Sequence, residues 1–409
     1  MALKSITMSK TYEQINEKIR RGEAVVLTAE EVSRMALTMS PEEIADRVDV
    51  VTTATFGAMC SSGAFVNFGH ADPPIRMERI ELNGVNVSGG LAAVDTYIGA
   101  TDCDPANPEY GGGHIIEDLV AGKDILLEAW GKGTDCYPRR HIRTYVNIDT
   151  LNEAYLYNPR NAYQNYNVAV NSSERTIHTY MGKLYPRSGN ASYSTAGELS
   201  PLINDPECRT IGLGTHIFLG GGDGYVMWNG TQFDTSKEVN AYGIPVGNAR
   251  TIAVAGELRG MSTDFLRGVY YEKYGCSLYV GIGVPIPILD ADLARRVSIR
   301  NDQIETNVVD YGDGNKVIGR TNYAELRSGS ITVGGRRIRT VPVSSLAKAR
   351  EIAAILKSRI ETGGFLLSEP VRAMPAFGAV KRLEERSVPF GGRTEMLLGA
   401  HREKDLSDF

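Results

Sequence analysis

The sequence predicts a mixed α+β fold, with a large mixed sheet at its core, helices on its flanks and a layer of antiparallel hairpins late in the chain. Three observations predict it. Helix-start signals concentrate in the first fifty residues, β-branched runs joined by short Gly- or Asp-rich connections follow, and one amphipathic helical pattern comes near residue 350. Long helical patterns do not separate most of the strands, as they would in a purely parallel βαβ fold.

The opening segment is predicted to be helical. Residues 28–31 form a capping box, and Ser40 stands before Pro41, in the first helical position that proline favours. Residues 48–59 then form a β-branched run that ends in small residues, so Cys60 is expected near a strand end. Further strands are predicted at residues 124–130, 142–148, 211–219, 251–255 and 277–289.

The later part is predicted to be antiparallel. Residues 308–311 meet a Gly-Asp-Gly turn, and residues 331–333 meet a Gly-Gly turn before residues 336–341, a pattern typical of hairpins. A helix is expected from a serine cap at 344–345 to a stop at Gly363. Its apolar face, which should pack on the sheet, holds Leu346, Ala349, Ile352, Ala353, Leu356 and Ile360.

Two parts of the chain are distinguished. Residues 1–370 are predicted to be the folded part, as one large domain or two intimate lobes. Residues 371–409 are polar and irregular, and are predicted to form a tail that is either an arm across a neighbouring subunit or loose.

Composition narrows the classes of protein. Hydrophobic residues make up 42% and charged residues 23%, which is ordinary globular usage. The net charge of -5 and the pI near 5.8 provide no basic face for nucleic acid. The amino terminus lacks a leader pattern, and no apolar run reaches the roughly eighteen residues of a membrane span. We therefore expect a cytoplasmic protein without nucleic-acid or membrane partners.

The cysteines are few and thinly spread. Their odd number and the lack of a C-x-x-C motif predict free thiols rather than a disulfide scaffold. A single cysteine in such a set is most often a small buried side chain. They are Cys60, Cys103, Cys136, Cys208 and Cys276.

Two of these cysteines have the local surroundings of a reactive thiol. Cys60 is flanked by small residues, with several backbone N–H groups nearby. Cys136 follows a loop of glycines and precedes two arginines and His141, whose positive charge would stabilise a thiolate. For Cys136 the alternative is a buried thiol at a strand edge. Cys103 stands between carboxylates and is the poorer nucleophile, and Cys208 and Cys276 are expected to be structural.

Glycine clusters and histidines were weighed for ligand binding. Residues 220–224 favour a tight turn, whereas residues 111–113 could bring backbone close to a ligand and precede His114, a candidate for acid–base chemistry. Neither cluster matches a phosphate loop or a dinucleotide fingerprint. The histidines lack the spacing of a zinc motif. We therefore predict no metal site and no bound cofactor.

Four segments resemble the homocysteine biosynthesis family: residues 58–64, 111–114, 131–138 and 219–222. The resemblance runs from near the start to about residue 370. Members of that family are L-aspartate semialdehyde sulfurtransferases of methanogens and anaerobic bacteria, which make homocysteine from the semialdehyde and sulfide. The resemblance implies that the folded part is the catalytic domain of a sulfurtransferase.

The resemblance also implies roles for two cysteines and a partner. The cysteines that matter in the family match Cys60 and Cys136, with the persulfide on Cys136. Many relatives continue into a paired CBS domain, and residues 371–409 are too few for one such module, so we expect the form that lacks it. Electrons would come from a separate ferredoxin-type protein, since no cysteine spacing here suits an iron–sulfur cluster. A homodimer is expected.

The implied reaction requires a sulfur nucleophile, loss of the aldehyde oxygen as water and two electrons. A persulfide on Cys136 would deliver its outer sulfur to the aldehyde carbon, and His141 or His114 would protonate the leaving hydroxyl. Cys60 would then attack the disulfide of the adduct and release the product. The substrate carboxylate would be bound by a guanidinium group. The nearest arginines for this role are Arg139, Arg140 and Arg143.

Two alternatives stay open at the level of sequence. A cysteine-nucleophile acyl transferase or hydrolase would use Cys136 with His141 as its base, and would need neither a reductant nor Cys60. A non-catalytic metabolite-binding protein would keep its function without Cys136.

Overall fold

The structure is a computed structural model that describes residues 9–385 and residue 387. In chain order, its α-helices are α1 (Tyr12–Arg20), α2 (Ala29–Met35), α3 (Pro41–Arg47), α4 (Gly112–Val120), α5 (Pro201–Asn204), α6 (Ala291–Arg296), α7 (Tyr323–Arg327) and α8 (Leu346–Glu361). The strands are β1 (Val26–Thr28), β2 (Val50–Ala58), β3 (Gly63–Asn67), β4 (Arg79–Leu82), β5 (Val85–Val87), β6 (Asp95–Gly99), β7 (Cys103–Asp104), β8 (Asn107–Gly111), β9 (Ile125–Trp130), β10 (His141–Val146), β11 (Glu153–Asn161), β12 (Val168–Val170), β13 (Ile177–Thr179), β14 (Gly182–Leu184), β15 (Ala191–Tyr193), β16 (Gly212–Leu213), β17 (His216–Leu219), β18 (Gly222–Asn229), β19 (Ile252–Glu257), β20 (Leu266–Tyr271), β21 (Gly275–Pro287), β22 (Glu305–Asp310), β23 (Lys316–Asn322), β24 (Ser330–Val333), β25 (Arg336–Pro342) and β26 (Arg372–Ala373).

The predicted helix starts are confirmed at the level of single hydrogen bonds. The Thr28 side chain accepts from the backbone N–H of Glu31 while the Glu31 side chain accepts from the N–H of Thr28, which is the capping box. Ser40 caps α3 in the same way, with Pro41 in its first turn. Because each cap satisfies donors that the helix itself leaves unpaired, short helices such as α2 and α3 start where the sequence predicts.

A large mixed sheet forms the core, as predicted. Among the described residues its order is β1-β2-β21-β17-β18-β19-β11-β3-β6, and β20 pairs with β21. The antiparallel pair β2–β21 runs in register from Val50 opposite Pro287 to Ala58 opposite Tyr279. β2 is buried along almost its whole length, and the hydroxyls of its buried threonines donate to backbone carbonyls, that of Thr52 to Ala353 at 3.0 Å.

Helix α8 packs on this sheet, as its apolar face predicts. Ser345 caps the helix and accepts from the N–H of Lys348. A Cβ added to Gly281 would lie 2.8 Å from the side chain of Ile352. The small residue on β21 therefore lets the helix approach closely.

The late hairpins are confirmed, but the layer that they form is mixed rather than antiparallel. β22–β23 and β24–β25 are antiparallel hairpins. Two mid-chain strands, β12 and β15, join them into one sheet, and each pairs parallel with a hairpin strand, β12 with β22 and β15 with β25. The sequence pattern of a hairpin carries no information about such distant partners, which explains the difference.

The predicted strand at 211–219 is two strands. β16 ends at Leu213 and β17 begins at His216, because Gly214 between them has φ +87°, which breaks an extended run. The other predicted strands, at 48–59, 124–130, 142–148, 251–255 and 277–289, correspond to β2, β9, β10, β19 and β21.

A four-stranded antiparallel sheet, in the order β10-β9-β4-β5, carries the hairpin between β9 and β10. The chain up to Gly378 forms one compact unit, and residues 379–409 are grouped as a second. The predicted boundary at residue 370 stays a prediction, and the predicted tail lies outside the described residues from 388 onward. No helix among the described residues has both the length and the apolar character to cross a membrane.

Candidate active site

Cys60 lies in a tight connection between two strands of the central sheet. β2 ends at Ala58, and the N–H of Met59 still bonds to Leu278 of the neighbouring strand at 2.8 Å. The N–H of Ser62 then bonds back to the carbonyl of Met59 at 3.0 Å, which closes the turn before β3. The prediction that Cys60 stands near a strand end is confirmed. Its side chain is half-buried and its thiol is free.

Two hydroxyl groups point at the Cys60 sulfur. Ser277 on β21 is buried, and its Oγ–H donates to Sγ at 3.3 Å. The Tyr274 hydroxyl, in the turn before β21, donates to the same sulfur at 3.5 Å. Burial, and then the hydrogen bond to Cys60, raises the pKa of Tyr274, so this hydroxyl keeps its proton at neutral pH. The sulfur therefore faces two O–H donors, which suits a negatively charged sulfur atom.

A cavity of about 230 Å³ opens over Cys60. Several tyrosines form its walls, and burial is the main cause that raises the pKa of Tyr163, to about 12, and of Tyr166 and Tyr271. Protonated phenols can both donate and accept hydrogen bonds. The lining residues are Ala58, Met59, Cys60, Ser61, Arg160, Tyr163, Tyr166, Tyr180, Met181, Ser194, Gln232, Tyr271, Tyr274 and Val343.

Cys136 lies at the tip of the β9–β10 hairpin. The backbones of Thr134 and Tyr137 bond to each other in both directions, at 2.9 and 3.0 Å, and this leaves Asp135 and Cys136 at the turn. Cys136 is exposed and its thiol is free. The alternative of a buried thiol at a strand edge is therefore wrong for Cys136, which is open to small molecules and to protein partners.

The cationic residues expected near Cys136 lie on the same hairpin. His141 Nε2 lies 3.0 Å from one carboxylate oxygen of Glu128, and Arg143 Nε lies 3.7 Å from the other. Arg139 Nε donates to the carbonyl of His141 at 3.0 Å, and Arg140 bonds to Gly131 through its backbone carbonyl. The structure thus places Cys136, His141 and the three predicted arginines together on β10 and its loop.

Cys60 and Cys136 are not brought together within one described chain. Cys60 comes three residues before β3 begins, whereas the ring of Tyr137 lies 6.2 Å from that of His70, three residues after β3 ends. The four steps of β3 alone span about 13 Å at the usual rise of a strand. Cys136 is also absent from the lining of the cavity over Cys60. The two thiols therefore belong to different surfaces of the chain.

His114 serves the helix that it starts. It lies in the first turn of α4, and its Nδ1 accepts from the N–H of Gly111 at 3.2 Å. Its ring stacks on Tyr110 at a centroid distance of 5.5 Å. Burial lowers the pKa of His114 against the opposing charges of Glu117 and Asp118, so the ring is neutral at pH 7. His114 is not among the residues that line the cavity over Cys60.

The other cysteines differ in their surroundings. Cys208 and Cys276 are buried, as expected of structural residues, and burial raises the pKa of both thiols, that of Cys276 to about 11. Cys276 donates to the carbonyl of Pro108 at 3.4 Å. Cys103 is exposed on the short strand β7. No group of three or more His, Cys, Asp or Glu side chains in the described part of the chain is arranged to hold a metal ion.

Sequence reasoning missed Arg160, Ser277 and the tyrosines. These residues come from distant segments and meet only in the fold. One signal was present: tyrosines cluster at residues 163–166 and at residues 270–274, the latter directly before Cys276. Clustered tyrosines beside a cysteine point to an aromatic wall, although they do not reveal which cysteine it surrounds.

Comparison with known proteins identifies similar chains. Residues 24–367 match the family model described as homocysteine biosynthesis enzyme, sulfur-incorporation. The chain is 46% identical to the L-aspartate semialdehyde sulfurtransferase of Methanosarcina acetivorans, over 93% of this chain and 75% of that protein. It is 49% identical to the enzyme of the same name from Methanocaldococcus jannaschii, over 88% of this chain and 72% of that protein. No solved structure matches the chain.

Proposed function

The chain belongs to the homocysteine biosynthesis family of sulfur-incorporating enzymes, and from that premise we propose that it is an L-aspartate semialdehyde sulfurtransferase. It converts L-aspartate 4-semialdehyde, sulfide and two electrons into L-homocysteine. The observation that carries this assignment is the 46% and 49% identity, along most of the chain, to two enzymes of that name. A cysteine with two hydroxyl donors in a small cavity supports it.

The proposed cycle keeps atoms and electrons in balance. Hydrosulfide opens a disulfide between Cys60 and Cys136, which gives a persulfide on Cys136 and a thiolate on Cys60. The outer persulfide sulfur attacks the aldehyde carbon and forms an adduct with one hydroxyl group. Two electrons and two protons convert that carbon to CH2 and release the hydroxyl as water. The Cys60 thiolate then attacks the inner sulfur, which restores the disulfide and releases the homocysteine thiolate.

The surroundings of the two cysteines support this division of roles. Cys136, exposed at a hairpin tip, is open to hydrosulfide and to a protein that supplies electrons. Cys60, half-buried under the cavity, receives hydrogen bonds from Ser277 and Tyr274 that stabilise a thiolate. His141, held by Glu128 on the Cys136 hairpin, is proposed as the general acid for the leaving hydroxyl.

The cycle requires the two sulfurs to come within bonding distance, about 2.05 Å in a disulfide. Since they lie on different surfaces of one chain, we propose that the enzyme works as a homodimer. In it, the Cys136 hairpin of one protomer reaches the Cys60 cavity of the other. The electrons come from a separate ferredoxin-type protein that docks at the same face.

A turnover assay tests the assignment. The purified chain, given L-aspartate semialdehyde, sulfide and a low-potential chemical reductant, should form homocysteine, which is detected as its thiol adduct by chromatography and mass spectrometry. Omission of the reductant should stop turnover after one cycle at most. Sustained turnover without a reductant would favour the acyl transferase or hydrolase alternative. A complete lack of homocysteine would favour a metabolite-binding protein.

A further inference from the structure

The cavity over Cys60 contains one arginine, and the predicted substrate-binding arginines lie elsewhere. Among the residues that line the cavity, Arg160 is the sole Lys, Arg, Asp or Glu. Arg139, Arg140 and Arg143 lie on the Cys136 hairpin and are absent from that lining. A ligand that enters the cavity therefore meets a cation from Arg160.

Local structure holds Arg160 in place. It lies near the end of β11, where the pairing with β19 shifts register between Asn158 and Asn161. The N–H of Arg160 donates to the Asn158 side chain at 3.0 Å, which fixes the backbone at this irregularity. Because a bulge turns a side chain away from the regular alternation of a strand, the arginine can face the cavity.

The Arg160 guanidinium has no carboxylate partner among the residues that the structure describes. Other arginines of the chain are paired, such as Arg143 with Glu128 and Arg209 with Asp290. Arg160 is half-buried, so its charge is partly removed from water without an anion to compensate it. A half-buried arginine of this kind favours an anionic ligand.

Arg160 and Cys60 face the same space. Both line the cavity, and the charges of both act on the hydroxyls of Tyr163 and Tyr274. A small molecule held by Arg160 at one end would therefore place its other end near the sulfur. The cavity, at about 230 Å³, suits a ligand of only a few carbon atoms.

We propose that Arg160 binds the carboxylate of the substrate in the cavity over Cys60 and thereby directs the aldehyde carbon to the reacting sulfur. The inference rests on the proposed function. A guanidinium binds a carboxylate through two parallel hydrogen bonds, which sets the orientation of the whole molecule. The cavity lining offers no carboxylate for the substrate ammonium group, which instead packs against the faces of the tyrosine rings.

Kinetics of Arg160→Gln test the proposal. KM for L-aspartate semialdehyde should rise roughly 10- to 100-fold, with a smaller change in kcat, as expected for the loss of a bidentate ionic contact. Arg336→Gln, the same substitution at an exposed arginine on β25, is the matched control and should leave both constants unchanged. An unchanged KM in Arg160→Gln would overturn the proposal. So would a large rise in KM in Arg139→Gln or Arg140→Gln alone.

An aldehyde without the carboxylate separates binding from folding. 3-Aminopropanal should be a poor substrate of the wild type and an equally poor substrate of Arg160→Gln, because the contact that the variant lacks is one that this aldehyde never makes. If Arg160 merely supported the structure, the variant would lose activity on both aldehydes by the same factor. That result would contradict the proposal.

A binding measurement keeps the inference testable even if the proposed function fails. L-2-Aminobutyrate, which has the carboxylate and ammonium groups but no aldehyde, should slow alkylation of Cys60 by iodoacetamide in the wild type and not in Arg160→Gln. Propylamine should protect neither. Equal protection in both proteins, or none in the wild type, would overturn the role of Arg160 whether or not the wild type makes homocysteine.

Discussion

The Oγ–H of Ser277 donates to the sulfur of Cys60 at 3.3 Å, from a buried position on the longest strand of the central sheet. The two residues are 217 positions apart in sequence. β2 and β21 bring them together, because Ala58 at the end of β2 pairs with Tyr279. A donor on a rigid, buried strand is held in place before any reaction begins, which favours a charged sulfur at Cys60.

The first prediction concerns this contact. Ser277→Ala should slow the alkylation of Cys60 by iodoacetamide at neutral pH about five-fold, the equivalent of roughly 1 kcal/mol for one hydrogen bond. Ser62→Ala is the matched control, because its Oγ is buried two residues from Cys60 and has no hydrogen-bond partner. That variant should keep the wild-type rate. Equal rates for all three proteins would show that Ser277 does not stabilise the thiolate.

The second prediction separates the working cysteines from the others. Cys136→Ala and Cys60→Ala should each lower turnover by roughly a thousand-fold or more, because each sulfur takes part in bond exchange. Cys103→Ala removes another exposed thiol and should retain turnover. Full turnover in Cys60→Ala would refute the paired mechanism, whatever the result for Cys136.

The third prediction is the order in which the thiols react in the native protein. Brief treatment with iodoacetamide followed by peptide mass spectrometry should find the exposed Cys103 and Cys136 modified, and Cys208 and Cys276 unmodified. Burial, and then the nearby Cys103, raises the pKa of Cys276 to about 11, so little thiolate is present at neutral pH. Rapid native labelling of Cys276 would contradict this arrangement.

The fourth prediction concerns pH and His114. Burial lowers its pKa below the unfolded value of about 6.5, so the unfolded chain binds the proton more readily. The stability that the neutral ring contributes is therefore present above pH 6.5 and is lost as the pH falls towards the folded-state pKa. His114→Gln keeps an acceptor for the N–H of Gly111 but does not titrate. Chemical denaturation should find it similar to the wild type near pH 8 and the more stable protein near pH 5.5.

Turnover of the same variant decides between two roles for this histidine. If His114 is a cap, His114→Gln should keep its activity at pH 8. Loss of turnover with unchanged stability would instead support the sequence-based expectation that His114 is the general acid. An identical dependence of stability on pH in both proteins would show that the ring is not the titrating group.

Local features of the fold followed from the sequence, whereas distant pairings did not. The capping box at Thr28, the proline start of α3 and the two late hairpins each depend on neighbouring residues, and each was predicted correctly. The parallel pairing of β12 with β22 joins Val168 to Val308, which no local pattern encodes. The late layer was therefore predicted as antiparallel although it is mixed.

The glycines before α4 illustrate a different limit. The sequence allowed these residues to approach a ligand, but a Cβ on Gly112 would lie 1.8 Å from the carbonyl oxygen of Gly99. On Gly113 it would lie 2.2 Å from the carbonyl oxygen of Ser277. These glycines let the helix pack directly on the backbone of the sheet. A glycine cluster alone does not distinguish a bound ligand from a neighbouring strand.

The candidate site was predicted in part. Small residues around Cys60 and cations around Cys136 marked each cysteine separately, because those signals are local. Arg160, Ser277 and the tyrosine wall come from segments up to 217 residues away from Cys60, and only the fold assembles them. The sequence also suggested nothing about the separation of the two thiols.

The most direct test of the central claim is the mass of the protein after incubation with sulfide. The disulfide-oxidised enzyme should gain about 32 Da, one sulfur atom, and peptide mapping should localise the added sulfur to Cys136. Cys136→Ala should show no such gain. The account would be contradicted if the sulfur were found on Cys60 alone, or if the wild type gained no mass while it still made homocysteine.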